Sequence, residues 1–379
     1  MSSSPVNELF GTEYPIAAFS HCRDVVAAVS KAGGLGVLGA VTYTPEQLEV
    51  ELSWIEEQVG DRPYGVDLLL PVGTADAAAR LSAEELEHLL DDPTPILPAE
   101  HRQFVSQLLA EHHIPELPDG GAEARRLLNP PKALAEVALA HPVRLIASAL
   151  GPPPPDLVGE AHDRGVLVAA LVGTKDHALR QKAAGVDVIV AQGYEAGGHT
   201  GTIATMVLVP EVVDVVAPTP VLAAGGIASG RQMAAAMALG AQGVWTGSVW
   251  LTTEEAETHP VVKEKLLRAA SSDTVRSRCR TGKPARQLRS GFTEAWEQPD
   301  APEPLPMPLQ PLLVAEAIER IDRAASAGNE DAVQLANYFV GQVVGRLTTV
   351  KPARQVLQDM VTEYVDTVLA MGDALSTTA

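Results

Sequence analysis

Short apolar runs alternate with stretches of helical period through the first two thirds of the chain. Eight runs stand out, around 15–19, 36–41, 65–70, 143–148, 166–172, 186–191, 220–224 and 243–247. Each is short enough for a strand, and the segments between them have the spacing of amphipathic helices. Two of the runs, VLVAALV and VDVIVA, are apolar at successive positions, as expected of strands covered on both faces. Eight strand-helix alternations predict an α/β fold of the (β/α)8 barrel type, in which helices ring a closed parallel sheet. Helix ends are legible too. Ser229 is a suitable N-cap for a helix over 230–239, with Gly240 just past its end.

Two stretches break the alternation. Residues 71–129 separate the third and fourth strands and hold acidic segments such as SAEELEHLLDD, which predicts a helical insertion. After residue 250 the strand pattern stops. Leu313, Ala317 and Ile321 form one apolar stripe there, with Val314 and Ile318 beside it, and the Pro-rich PDAPEPLPMPLQP (299–311) leads in. The division expected is a barrel over 1–250, carrying its insertion, and a helical region over 251–379 that packs at the barrel rim.

Composition narrows the function. The 379 residues are 46% hydrophobic and carry a formal charge of −20, which disfavours nucleic acid and anionic membranes and favours small-molecule partners. No apolar run is long enough to span a bilayer, and the start MSSSPVNELF has no signal-peptide pattern. Two cysteines, Cys22 and Cys279, make no disulfide framework, so a reducing cytoplasm is expected. His112 and His113 are adjacent and would diverge on a helix, so no metal site is predicted.

The charge is unevenly spread. Nine basic residues and two acids lie between Lys263 and Arg289, whereas 71–129 holds eleven carboxylates and four arginines. Contact between these two segments, within a subunit or across a homodimer, is one explanation. The other assigns Lys283 and Arg286 of TGKPAR to an anionic substrate or a dinucleotide phosphate.

Three segments carry candidate chemistry. AQGYEAGGHTG (191–201) follows the sixth strand and so opens at the C-terminal rim, where barrel active sites lie. Its glycines, including Gly197 and Gly198, admit close backbone approach to a ligand. Gln192 offers an amide, and His199 is the first choice for a general base. Gly225 and Gly226 after the seventh strand, with Trp245, Thr246, Gly247 and Ser248 after the eighth, have the arrangement of a phosphate cup built on backbone N–H groups. His21 and Cys22 lie at the same rim after the first strand, where a pocket-lining role is expected.

AAVSKAGGLGVLG (27–39), RPYGVDLLLP (62–71), QGYEAGGHTG (192–201), PVLAAGGIASG (220–230), GAQGVWTGSVWL (240–251) and GQVVG (341–345) occur in order along almost the whole chain. In them the sequence resembles the nitronate monooxygenase family, also called 2-nitropropane dioxygenases, which shares its barrel and flavin loops with enoyl-ACP reductases. The resemblance implies an FMN-dependent oxidoreductase that converts alkyl nitronates and dioxygen to a carbonyl compound and nitrite. It places Gln192 and Gly197 on the flavin, Gly226 on its phosphate, Trp245 to Ser248 in the rest of the cup, and His199 beside the substrate. Two departures stand out. Asp67 replaces an Asn of the flavin site and would repel a phosphate unless protonated or paired. Phe19-Ser20-His21-Cys22 replaces the usual turn after strand one. The alternative on the same barrel is an NAD(P)H-dependent enoyl reductase or an acyl-CoA dehydrogenase-like flavoenzyme.

Overall fold

The computed structural model describes residues 4–69, 96–117 and 131–376. Eight parallel strands close into a barrel: β1 (Ile16–Ser20), β2 (Leu35–Gly39), β3 (Tyr64–Leu68), β4 (Leu145–Ser148), β5 (Leu167–Val172), β6 (Val188–Gln192), then, past the short β7 (Gly198–His199), β8 (Val221–Ala224) and β9 (Gly243–Thr246). β9 pairs back onto β1, so the sheet has no free edge. Each predicted run became one barrel strand, with ends moved by at most two residues.

Alternate positions fill the interior. Ala17, Leu35, Val37, Leu145, Val188, Val190, Leu222 and Trp245 form one inner cluster, and Val6 and Phe10 of the N-terminal helix Pro5–Phe10 join it. That helix plugs the end of the barrel opposite the strand C-termini. The other alternate set packs outward under the helices, which is why these strands read as continuous apolar runs.

The chain after residue 250 forms the helices Pro260–Arg268, Leu309–Ser326, Glu330–Leu335 and Ala353–Ser376, but also a hairpin. Its strands, β10 (Thr274–Ser277) and β11 (Ala285–Leu288), extend to β7 as a second, antiparallel sheet. TVRS and ARQL are polar in sequence, because this sheet is held by backbone pairing instead of an apolar face. The Pro-rich strap is pinned through fully buried Gln310, whose amide donates to the Cys279 carbonyl at 2.6 Å and accepts from Leu305 N–H at 2.8 Å. Of the 71–129 stretch, the described part includes the helix Ala99–Glu111, with Phe104 edge-on to Trp296 at 4.8 Å; the rest lies outside the described residues.

The C-terminal helix lies across the helix Gly230–Ala238. Gly230 allows it: a Cβ there would sit 2.1 Å from Tyr364 N and 2.3 Å from Met360 O. Gly159, in the helix Pro155–Asp163, has nothing within 4 Å of its would-be Cβ and no positive φ. Gly230→Ala should therefore destabilise the protein by roughly 1–3 kcal/mol or more through overpacking, while Gly159→Ala stabilises it by about 0.5–1 kcal/mol. Denaturant unfolding of the two variants beside the parent checks both signs.

Candidate active site

The strand C-termini open into one cavity of about 1860 Å³, lined by residues from the end of every barrel strand. On its floor Phe19 stacks on Trp245 with ring centroids 6.4 Å apart, and Gln192 and Asp67 reach the same space. The Gln192 amide and the Asp67 carboxyl have no hydrogen-bond partner among the described residues.

The loop after β6 is set by close backbone packing. A Cβ at Gly193 would fall 2.0 Å from Thr205 Oγ1, and one at Gly197 would fall 2.8 Å from Gly341 N. Between them, the Glu195 carboxylate accepts from both Thr205 N–H and Thr205 O–H at 2.9 Å, and the Glu195 carbonyl accepts from Gln342 N–H. GQVVG (341–345) thus clamps the loop from about 145 positions away. Gly198 takes a left-handed φ of 73°, and His199 then pairs with Ala285 of β11. The histidine is fixed in a sheet.

His199 Nε2 lies 2.9 Å from Thr281 Oγ1, whose own hydrogen is directed to the Lys283 carbonyl at 3.1 Å. With the hydroxyl hydrogen assigned to that carbonyl, the ring is the donor, so Nε2 carries the proton and Nδ1 holds the lone pair. Burial, helped by the Lys283 charge, lowers the His199 pKa to about 4. The ring is neutral near pH 7. Lys283 lines the cavity, and its Nζ has no hydrogen-bond or ion-pair partner among the described residues.

Gly225 and Gly226 adopt φ of 90° and 76°, turning the chain between β8 and the next helix. Gly226 and Ile227 N–H groups have no partner among the described residues, and Gly247 and Ser248 open a one-turn 3₁₀ helix beside them. The N-terminus of the neighbouring helix is less available than expected, because Gly230 N–H donates to the Glu363 carboxylate at 2.8 Å. Ser248 Oγ accepts from Gly341 N–H at 2.8 Å, tying this turn to the clamp.

Other predicted residues fall differently. The Thr246 hydroxyl is buried, donating to the Ala17 carbonyl and accepting from Trp250 Nε1, so its side chain belongs to the barrel. Trp245 presents its ring to the floor. His21 Nδ1 donates to the Gly39 carbonyl at 2.9 Å, and burial lowers its pKa. Its ring occupies the space over Gly39, where a Cβ would touch it at 2.7 Å. Cys22 donates to the Glu255 carbonyl, and burial pushes its thiol up, against redox reactivity.

Arg286 corrects the rim assignment. It is 2% exposed and lies outside the cavity, its guanidinium 4.4 Å over the Tyr194 ring, donating to the Tyr194 carbonyl and Thr274 Oγ1. It braces the His199 loop from behind. Most of the basic segment likewise binds nearby groups: Lys265 donates to the Val333 and Ala336 carbonyls, Arg276 to Thr200, Arg280 to Asn337, and Arg268 and Arg278 meet Glu264 and Glu303. None of these partners lies in 96–117, the described part of the acidic stretch; the rest of 71–129 lies outside the described residues. Sequence reasoning missed Thr281 and Phe339, whose ring lies 6.4 Å from that of His199. Neither residue type carries a signal outside its fold.

Asp67 lies in register between Gly39 and Ala147, four strands around the barrel from β8. The expected conflict with a phosphate therefore does not arise at the cup. Burial instead pushes its carboxyl up to about 7.

Comparison with known proteins gives the family. The nitronate monooxygenase family profile matches residues 3–363, so the chain belongs to that family and is an enzyme of its monooxygenase class. A Mycobacterium tuberculosis protein, Rv1533, whose name goes no further than a monooxygenase, is 61% identical over 96% of both chains. A Staphylococcus haemolyticus protein named for nitronate monooxygenase is 30% identical over 97% of this chain and 99% of its own. Among solved structures, nitroalkane oxidase from Streptomyces ansochromogenes superposes with a TM-score of 0.76 at 27% identity, covering 97% of this chain and 99% of that one. FabK from Thermotoga maritima gives 0.73 at 28%, covering 99% and 100%.

The Asp67 shift has a definite sign. A carboxyl raised in the folded state contributes stability that is complete below its ordinary value of 3.8 and is lost as pH rises toward 7. The melting temperature of Asp67→Asn relative to the parent should thus rise between pH 4 and pH 8. A difference constant across that range, measured by thermal unfolding in matched buffers, would contradict the burial argument.

Proposed function

We propose that the protein holds FMN at the strand C-termini and oxidises alkyl nitronates with dioxygen to a carbonyl compound and nitrite. The carrying observation is the pairing, in one cavity, of an unpartnered Lys283 ammonium with a neutral His199 whose Nδ1 lone pair is free.

The residues fit the cofactor. Unpartnered N–H groups at Gly226 and Ile227 and the turn at Gly247–Ser248 suit a phosphate, and the open Gln192 amide suits a ring edge with both donors and acceptors. Bound flavin would supply the two-electron chemistry and the reaction with dioxygen. Lys283 draws an anion to the rim, and the surrounding apolar wall strengthens that attraction. His199 then decides which form of the substrate is used. A base whose conjugate acid has a pKa of about 4 removes a proton from carbon poorly, so the expected role as general base for neutral nitroalkanes weakens. An already deprotonated nitronate needs no such base. Its negative charge beside the imidazole moves the His199 pKa back up from about 4, offsetting the opposing effect of Lys283.

The likeness to FabK supports keeping an NAD(P)H-dependent flavin reductase as the second reading. The two are separated by anaerobic mixing, in which NADH or NADPH bleaches the flavin of a reductase. The buried, unpaired thiols Cys22 and Cys279 support a reducing cytoplasm as the setting.

The purified protein should be yellow and turn over nitronates with higher kcat/KM than the parent nitroalkanes. Lys283→Met should raise KM for nitronate about tenfold or more, the loss of one charge-assisted contact. His199→Ala should lower kcat/KM for nitronates by at least tenfold. Nitrite release from each variant, assayed with nitronate and with nitroalkane, checks these outcomes; equal rates in H199A and the parent would refute the role.

A further inference from the structure

The helix Leu309–Ser326 is apolar on two faces. Leu313, Ala317 and Ile321 are buried in the core, which accounts for one. The second is half-buried and runs Pro311, Ala315, Ile318 at helical spacing along the cavity wall, ending at Asp322. Ile318 also packs against that core, but Ala315 is not among its partners, and the stripe as a whole faces the cavity.

This stripe begins beside the catalytic turn. A Cβ at Gly282 would lie 2.2 Å from the Leu305 carbonyl and 2.7 Å from Met307 N, so the strap that starts the helix is pressed against the turn carrying Thr281 and Lys283. Met307 lines the cavity at that junction, and Leu150 and Leu157, beyond β4, line it too. The volume points the same way. A site for one drug-sized ligand occupies roughly 300–1,000 Å³, and this cavity, at about 1860 Å³, has room for a second.

Resting on the nitronate reading above, we infer that the substrate carries a long aliphatic chain, which lies along Met307, Pro311, Ala315 and Ile318 while its anionic head meets Lys283 and His199. From Pro311 to Ile318 the helix advances about 10 Å, which matches about eight bonds of an extended chain at roughly 1.2 Å each. Beyond Ile318 the wall turns polar at Asp322, which ends the apolar run. Chains of about eight carbons fill the stripe.

The test compares the nitronates of nitroethane, 1-nitrobutane and 1-nitrooctane on the flavin-loaded protein. Burial of each methylene is worth up to about fourfold, so kcat/KM should rise at least tenfold from the two-carbon to the eight-carbon substrate. Ala315→Trp, which fills the stripe, should lower the ratio of eight-carbon to two-carbon kcat/KM at least tenfold. Ile318→Gln, nearly the same size but polar, should lower the same ratio and serves if the tryptophan is not tolerated. Calorimetric binding of acetaldehyde, butanal and octanal, the corresponding products, should show the same chain-length order. Flat chain-length dependence in both turnover and binding, or variants that affect short and long substrates equally, would overturn the inference. If the yellow protein turns over no nitronate at all, the nitronate reading fails by itself, and the aldehyde series still decides the apolar lobe.

Discussion

The site depends on one close approach between backbones. Gly197 meets Gly341 at a distance that leaves no room for a Cβ, and around this contact the loop after β6 is tied to the turn after β9 through Ser248. Without it, the loop bearing His199 would be an exposed connection of the kind that opens easily. With it, three segments far apart in sequence share one rigid rim. The second sheet completes the arrangement, because β11 pairs with β7 and so aligns His199 with the turn that supplies Thr281 and Lys283.

The electrostatics follow from the same enclosure. The cavity floor disfavours charge: Asp67 is drawn toward its acid form, and His21 and His199 toward neutral imidazole, each chiefly by burial. Lys283, beside His199, and the exposed Arg180 are cavity-lining cations that the described residues leave unpartnered. An apolar site with neutral histidines and an unneutralised ammonium beside His199 selects a small negative head group. It offers no equivalent reward to a neutral one. The two histidines nevertheless differ. His21 spends its Nδ1 proton on the Gly39 carbonyl, whereas His199 spends its Nε2 proton on a side chain that is itself held by the Lys283 backbone, so loop and charge are coupled.

The barrel was legible because its strands are covered on both sides, and runs such as VLVAALV leave few other readings. The glycines at 197, 198, 225 and 226 were legible as backbone devices, since turns and close approaches demand that residue. The second sheet was hidden. Its strands are four-residue segments stabilised by main-chain pairing, and TVRS and ARQL contain no periodic apolar signal. Arg286 was misread for a related reason: a basic residue near a glycine looks like a rim cation, but sequence does not show that the Tyr194 ring covers it. Thr281 acts only through its position opposite His199.

The two-faced helix shows how far periodicity reaches. One helical stripe at Leu313, Ala317 and Ile321 was visible, and Val314 with Ile318 looked like its widened edge. In the fold, Val314 is buried in the core and only its edge reaches the cavity, whereas half-buried Ile318 packs on the core and lines the cavity with Pro311 and Ala315. A broad apolar arc on a helix is usually a broad core contact, and hydrophobicity alone cannot divide it. What divides it here is the strap before the helix. Pinned by Gln310 to the Cys279 carbonyl and pressed on Gly282, the strap fixes the helix's start next to the catalytic turn, so the face left over from the core has to look into the cavity. An apolar wall joined in this way to a cationic rim distinguishes a chain from a small ion as the thing being held.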